Sequence, residues 1–147
     1  MPPASSDDRH LAVAVEQARL GLAEGGIPVG SALVVDGEVV GRGRNRRFQR
    51  GSAVLHAEID ALEDAGWLEP SLYARATLYT TLSPCQMCSG AVVLYGIPRV
   101  VIGDCETAPG EVDYLVGHGV EVVDAADPEC ITIAREFIEA HPEVWNA

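Results

Sequence analysis

Apolar residues recur at helical intervals near the start of the chain, where Leu11, Val15, Ala18 and Leu22 fall three or four apart. This predicts a helix capped by Asp7 or Asp8 and ended by Gly25-Gly26. Val29 to Val35 and Glu38 to Arg44 then read as short strands. Asp36-Gly37 joins them, a pair suited to the tight turn of an antiparallel hairpin. Beyond an Arg-rich loop, Leu55, Ile59 and Leu62 mark one side of a helix within Ala53 to Ala65, starting close to His56 and stopping at Gly66. Thr77 to Thr81 is β-branched and aromatic and reads as a buried strand. Ser83 as N-cap and Pro84 at the first helical position open a helix that runs through Ala91, Val92 and Leu94 to Gly96. Val100 to Ile102 predicts a strand, Glu111 to Val116 a short helix and Val120 to Val123 a last strand. Asp127-Pro128 starts a final helix carrying Ile131, Ile133, Ala134, Phe137 and Ile138, with Pro142 at its end.

Strands alternating with helices after an opening hairpin predict the α/β class: a three-layer α/β/α domain on a mixed, roughly five-stranded sheet. The length, 147 residues, suits one domain spanning 1–147, with 1–6 as a loose tail. No repeat, linker or low-complexity stretch interrupts it.

Composition changes this picture little. At 48% hydrophobic residues the chain is able to bury a sizeable core. No stretch approaches the length of a membrane span and the first residues do not read as an export signal, so the expected compartment is the cytoplasm, with no membrane partner. A net charge of −12 repels phosphates at long range and argues against nucleic acid as the partner. The charge is uneven. Five of the ten Arg (Arg42, Arg44, Arg46, Arg47, Arg50) lie within nine residues; they could hold phosphate, but read more simply as a solvated or subunit-contact segment. Of the four Cys, Cys105 and Cys130 have no partner spacing and read as small buried apolar residues.

The candidate chemistry lies between His56 and Cys88. An imidazole at His56 and two thiols at Cys85 and Cys88 make three zinc ligands. Catalytic zinc usually takes three protein ligands and keeps a fourth position for water, whose pKa falls to about 7. A helix N-terminus would stabilise thiolates at this spacing. Glu58, two residues after His56, is placed to carry a proton, which distinguishes an enzyme from a structural site. Two other readings exist. A redox Cys-x-x-Cys pair leaves His56 and Glu58 unexplained, and a structural zinc site needs a fourth protein ligand, for which Cys105 is the nearby candidate.

His-x-Glu with a later Pro-Cys-x-x-Cys is the general zinc deaminase signature. With these motifs the chain resembles the cytidine-deaminase-like zinc hydrolase superfamily, and specifically the fungal-type cytosine deaminases over nearly its whole length. The stretches that carry the likeness are Glu24 to Gly30, Gly41 to Ser52, His56 to Glu58, Leu78 to Cys88, Tyr95 to Arg99 and Phe137-Ile138. Related guanine and tRNA adenosine deaminases usually carry a Glu before the Pro-Cys; here Thr81-Leu82-Ser83 stands there, as in the cytosine enzymes.

The resemblance implies one catalytic Zn2+ ion per chain, held by His56, Cys85 and Cys88. It also implies hydrolytic deamination of a free nucleobase, cytosine to uracil plus ammonia, a step of pyrimidine salvage. Glu58 would protonate the ring nitrogen, Asn45 would bond the pyrimidine edge, Ile27 would pack against the ring, and main-chain groups of Ala57 and Ser83 would hold the base. The Cys85 N–H would face the developing oxygen, and Trp145 would align with an aromatic lid. Asn45 taken alone reads equally well as a turn residue. The family commonly forms homodimers, and Val92, Val93 and Leu94 could supply the apolar face, though the same residues read equally well as a helix facing its own sheet. Two departures stand out: Ala108 occupies a position where the family tends to place an aromatic wall, and Asn146-Ala147 after Trp145 offers no counterpart to the family's tail carboxylate. The expectation is that a terminal tail is missing from this sequence or that the substrate edge is read differently. A guanine, nucleoside or triazine-type aminohydrolase is the alternative, followed by a tRNA adenosine deaminase and a non-catalytic zinc-binding module.

Overall fold

Asp36 and Gly37 both adopt positive φ, 51° and 81°, which is the backbone a two-residue hairpin turn demands. They join β1 (Gly30–Val35) to β2 (Glu38–Arg44) in the computed structural model, which describes residues 5–144. β1 also pairs antiparallel with β3 (Ala76–Leu82), and β3 pairs parallel with β4 (Arg99–Asp104), which pairs parallel with β5 (Glu121–Asp124). The resulting five-stranded mixed sheet has the order β2-β1-β3-β4-β5.

Side chains alternate across the strands, so each sheet face collects its own core. On one face Ala32, Val34, Tyr79 and Val101 pack with Leu11, Ala14 and Val15 of α1 (Ser6–Ala23) and with Cys130 and Ile133 near the chain's end. On the other, Leu33, Leu78, Val100 and Ile102 meet Val92 and Leu115, with Leu62 partly buried beside them. Covering both faces produces the three layers expected from the sequence. Fully burying side chains such as Leu33, Leu78 and Ile102 stabilises the fold by about 1.5–3 kcal/mol each.

The remaining helices follow in chain order: α2 (Arg47–Arg50), α3 (Ala57–Ala65), α4 (Pro70–Tyr73), α5 (Gln86–Tyr95), α6 (Val112–Gly117) and α7 (Pro128–Ala140). The single-turn helices α2 and α4 are too short to show a period in the sequence. Asp127 caps α7 as expected, accepting from the Glu129 and Cys130 N–H groups. Among the described residues no helix is long and apolar enough to cross a membrane.

Several local expectations need correction. α1 is capped by Ser5, not by Asp7 or Asp8: Asp8 N–H donates to Ser5 Oγ at 3.1 Å and Ser5 N–H donates back to Asp8 Oδ2 at 3.3 Å. Ser5 and Ser6 therefore belong to the helix start rather than to a loose tail. Asp7 is used elsewhere, paired at both carboxylate oxygens with Arg99 and accepting the Tyr79 hydroxyl at 2.6 Å, and the Arg99 bond holds its pKa down to about 2. Leu22, expected with the apolar face of α1, is exposed. Ser83 does not cap α5. Its N–H is still bonded to Asp104 O at 3.0 Å, in continuation of the β3–β4 pairing, so the chain turns into the helix only at Cys85, the actual N-cap.

α3 lies unusually close to β2 because two glycines face it. A Cβ on Gly41 or Gly43 would run into the α3 backbone at Ala57 and Ala61. The buried side of α3 is consequently Ala57, Glu58, Asp60 and Ala61, rather than the Leu55, Ile59 and Leu62 stripe read from the sequence.

Candidate active site

Two helix N-termini converge at one end of the sheet. His56 is the N-cap of α3, in extended conformation, and Cys85 is the N-cap of α5, with Cys88 one turn further on. Neither N-cap side chain caps its own helix, which leaves the imidazole and the thiol available to a shared partner. The donor atoms of His56, Cys85 and Cys88 all lie within 4.8 Å of one another, and His56 Nδ1 is 3.6 Å from Cys85 Sγ. This set of one imidazole and two thiols can hold a metal ion, and its soft donors suit zinc.

The charge state fits the same use. Hydrogen bonds from Cys88 and His56 pull the Cys85 thiol down to about 3, so it is a thiolate at neutral pH. The bond to Cys85 raises His56, while the bond to Cys85 and burial push Cys88 far up. Cys105 stands outside the set, half-buried against the core, so among the described residues the structural-zinc reading lacks its fourth ligand. Cys130 is buried beside Gly103, the small apolar role expected for it.

Glu58 is the second residue of α3 and only 5% exposed. Burial raises its carboxyl to about 7, where it can both accept and release a proton near neutral pH. It shares the walls of one cavity of about 110 Å³ with Val29, Asn45, His56, Ala57, Leu82, Ser83, Cys85, Ala108 and Gly110. That space is well below the roughly 300–1,000 Å³ of sites for drug-sized molecules, and it suits a single small ring.

The other expected site residues fall as follows. Asn45 is 1% exposed and lines the cavity; its Oδ1 accepts the Arg47 N–H at 3.1 Å, which leaves the amide NH2 as its remaining donor. Its turn geometry and its place in the cavity wall coexist. Ala57 and Ser83 both line the cavity. The Ser83 N–H is taken by Asp104 O and its hydroxyl donates to Pro109 O at 2.8 Å, leaving the Ser83 carbonyl for a ligand. Ile27 is not in the wall. It is fully buried in a cluster with Val29, Ala57, Leu82 and Phe137, and Val29 provides the apolar surface expected of it. Trp145 lies outside the described residues.

Sequence reasoning missed Val29, Leu82 and Gly110. Val29 and Leu82 carry no chemical signal, being ordinary apolar residues at strand ends. Gly110 does carry one, since its φ of 61° and its close approach to Ser83 Oγ and Pro84 O require glycine. Behind it, the fully buried Asp104 accepts the Glu106 and Thr107 N–H groups at 2.8 and 3.0 Å through Oδ1, which fixes the loop that carries Ala108 and Gly110. The Arg cluster is more than a solvated segment. Arg44 makes a two-pronged pair with Glu24 and also donates to Gln17, and Arg46 pairs with Asp60 at 2.9 Å.

Comparison with known proteins agrees with this geometry. Residues 4–104 match the family described as the cytidine and deoxycytidylate deaminase zinc-binding region. The chain is 48% identical to a cytosine deaminase of Candida albicans over 95% of its own length and 94% of that protein. It is 40% identical to a tRNA-specific adenosine deaminase of Streptococcus pyogenes, over 84% of this chain and 78% of that one. A solved structure from work on A-to-I editing by tRNA deaminases at the wobble position superposes with a TM-score of 0.71 and 28% identity, covering 85% of this chain and 98% of that one.

Proposed function

The chain belongs to the cytidine and deoxycytidylate deaminase zinc-binding family, and we propose that within it the protein deaminates a free nucleobase hydrolytically, converting cytosine to uracil and ammonia. The observation that carries this reading is the single cavity whose walls bring Glu58 and Asn45 together with the His56 and Cys85 donors. His56, Cys85 and Cys88 would hold zinc, which supplies a nucleophilic hydroxide at neutral pH when bound.

The chain's own residues account for the rest. Glu58, buried and with its carboxyl raised, takes a proton and delivers it to the ring nitrogen, then helps ammonia leave. Asn45 donates through its amide to the ring's carbonyl oxygen, and the Ala57 and Ser83 main chain together with Val29 hold the ring. The Cys85 N–H, at the start of α5, faces the oxygen on which charge develops. Residues 1–147 act as one deaminase domain.

Ammonia release across a panel of cytosine, guanine, their nucleosides, an aminotriazine and a tRNA anticodon arm tests the substrate. Cytosine is expected to give the highest kcat/KM, and cytosine inert while another compound turns over would overturn the assignment. The tRNA substrate is disfavoured by the net charge of −12.

Pyrimidine salvage in the cytoplasm is the expected setting, since zinc thiolates persist where thiols stay reduced. A homodimer is expected too, though not through the whole face read from the sequence: Val92 is fully buried and Val93 packs against the same core, so of that stretch Leu94 alone faces outward. An apolar groove between α3 and α5 is lined by Ile59, Leu62, Met87, Leu94 and Trp67, with Leu94 75% and Trp67 82% exposed, and a second copy would cover it. Sedimentation should find a dimer for the wild type and a monomer for Leu94→Glu; a monomeric wild type at micromolar concentration would remove this expectation.

A further inference from the structure

Asp60 has no part in the metal set, yet it joins the metal-bearing helix to the residue that reads the substrate. It lies on the first turn of α3 and its N–H bonds the His56 carbonyl at 2.9 Å. Its side chain points the other way, toward the end of β2. There one oxygen, Oδ2, accepts both the Arg44 N–H at 3.0 Å and the Arg46 Nε–H at 2.9 Å. Residues 44 and 46 flank Asn45, so a single buried carboxylate grips the chain on either side of it.

The surroundings make this grip specific. Gly43 permits the approach, because a Cβ there would lie 2.7 Å from the Asp60 carbonyl carbon and collide with Ala57 O and Ala61 N. Two backbone bonds complete the hold on Asn45: its own N–H donates to Val29 O at 3.0 Å, and Arg46 N–H donates to Leu55 O at 2.9 Å. Those bonds fix the height of the segment over the cavity. Asp60 ties it sideways to the helix that carries His56 and Glu58. A charged acceptor taking two donors is stronger than neutral bonds, and at 8% exposure it is little weakened by solvent.

We infer that Asp60 is a positioning residue for substrate recognition: it sets the distance between the Asn45 amide, which holds the ring, and Glu58, which protonates it. This rests on the proposed nucleobase deamination. Small errors in such a distance are costly to catalysis, and partners that orient a working group typically matter by about 10–100-fold.

The test uses zinc-loaded wild type, Asp60→Ala and Asp60→Asn. Asp60→Ala is expected to lower kcat/KM for cytosine by about tenfold or more, with a raised KM as the larger part of the loss and zinc content unchanged. Asp60→Asn keeps an acceptor but loses the charge and should raise KM by a smaller factor, about threefold. Hydrogen exchange at the Arg44 amide should be faster in both variants. An unchanged KM in either variant, whatever the loss in melting temperature, overturns the inference, because a merely structural tie would lower stability alone. Loss of kcat and zinc with KM held would overturn it as well. Should Asp60→Ala fail to fold, the isosteric Asp60→Asn carries the same criterion. If wild type is inert on cytosine but active on another base, the substrate assignment falls and KM is read on that base. Arg44 amide exchange, equal in wild type and variants, would refute the clamp without reference to any substrate.

Discussion

Replacing Glu58 with Gln is expected to lower kcat for the preferred base by about 10²–10⁴-fold while leaving the zinc content of the protein unchanged. Gln has the same shape and can occupy the same buried position, but it cannot take a proton and pass it on. The burial that makes Glu58 useful also makes it a strain on the fold. Its carboxyl titrates near 4.5 when solvated and is raised to about 7 in the folded chain. The folded state therefore holds a proton that the unfolded state has released between those two values. Stability is greatest below pH 4.5 as far as this group is concerned and is lost as pH rises through 7. The metal-free Glu58→Gln variant should accordingly be more resistant to urea than metal-free wild type at pH 8, with the advantage vanishing at pH 4.5. Retention of a tenth or more of wild-type kcat would remove Glu58 from proton transfer.

Changing Cys88 to Ala should abolish stoichiometric zinc and, with it, turnover. Cys88 is fully buried near the start of α5, and without its thiol only His56 and Cys85 would remain of the donor set. The variant also removes the partner that most depresses the Cys85 thiol, so the second thiolate is weakened at the same time. Metal analysis after dialysis is the readout, with chelated wild type as reference. Added zinc should restore the wild type and not the variant. Cys105→Ala is the control, expected to keep its zinc because Cys105 lies outside the cluster. Full zinc in Cys88→Ala, or loss of zinc in Cys105→Ala, would assign the ligands differently.

Much of this site was legible in the chain before it was folded. His56, Glu58, Cys85 and Cys88 announce themselves because few residue types do this chemistry, and the hairpin at Asp36-Gly37 did so because few dipeptides favour that backbone. The alternation that yields β1, β3 and β4 is equally local. Val29 and Leu82 were not legible, since an apolar residue at a strand end has the same sequence signature whether it faces a core or a cavity. Ile27 was misplaced for the same reason. Helix starts were read two residues too early at Ser83 and two or three too late at Asp7 or Asp8, because a cap is chosen by where the preceding chain is held. The bond from Ser83 N–H to Asp104 O decides the first, and the Ser5–Asp8 box the second.

The sequence by itself determined the chemistry: which atoms can hold zinc, which carboxylate can move a proton, and that strands would alternate with helices. Tertiary structure alone decided how those atoms meet. Burial of Glu58, which raises its carboxyl toward neutrality, follows from the close seating of α3 on Gly41 and Gly43. The grip of Asp60 on both neighbours of Asn45 joins residues that are fourteen and sixteen positions apart. Spacing along a chain specifies donors and acceptors, whereas desolvation and hydrogen-bond partners depend on what packs against them from elsewhere, and those are the terms that tune a pKa and fix a distance.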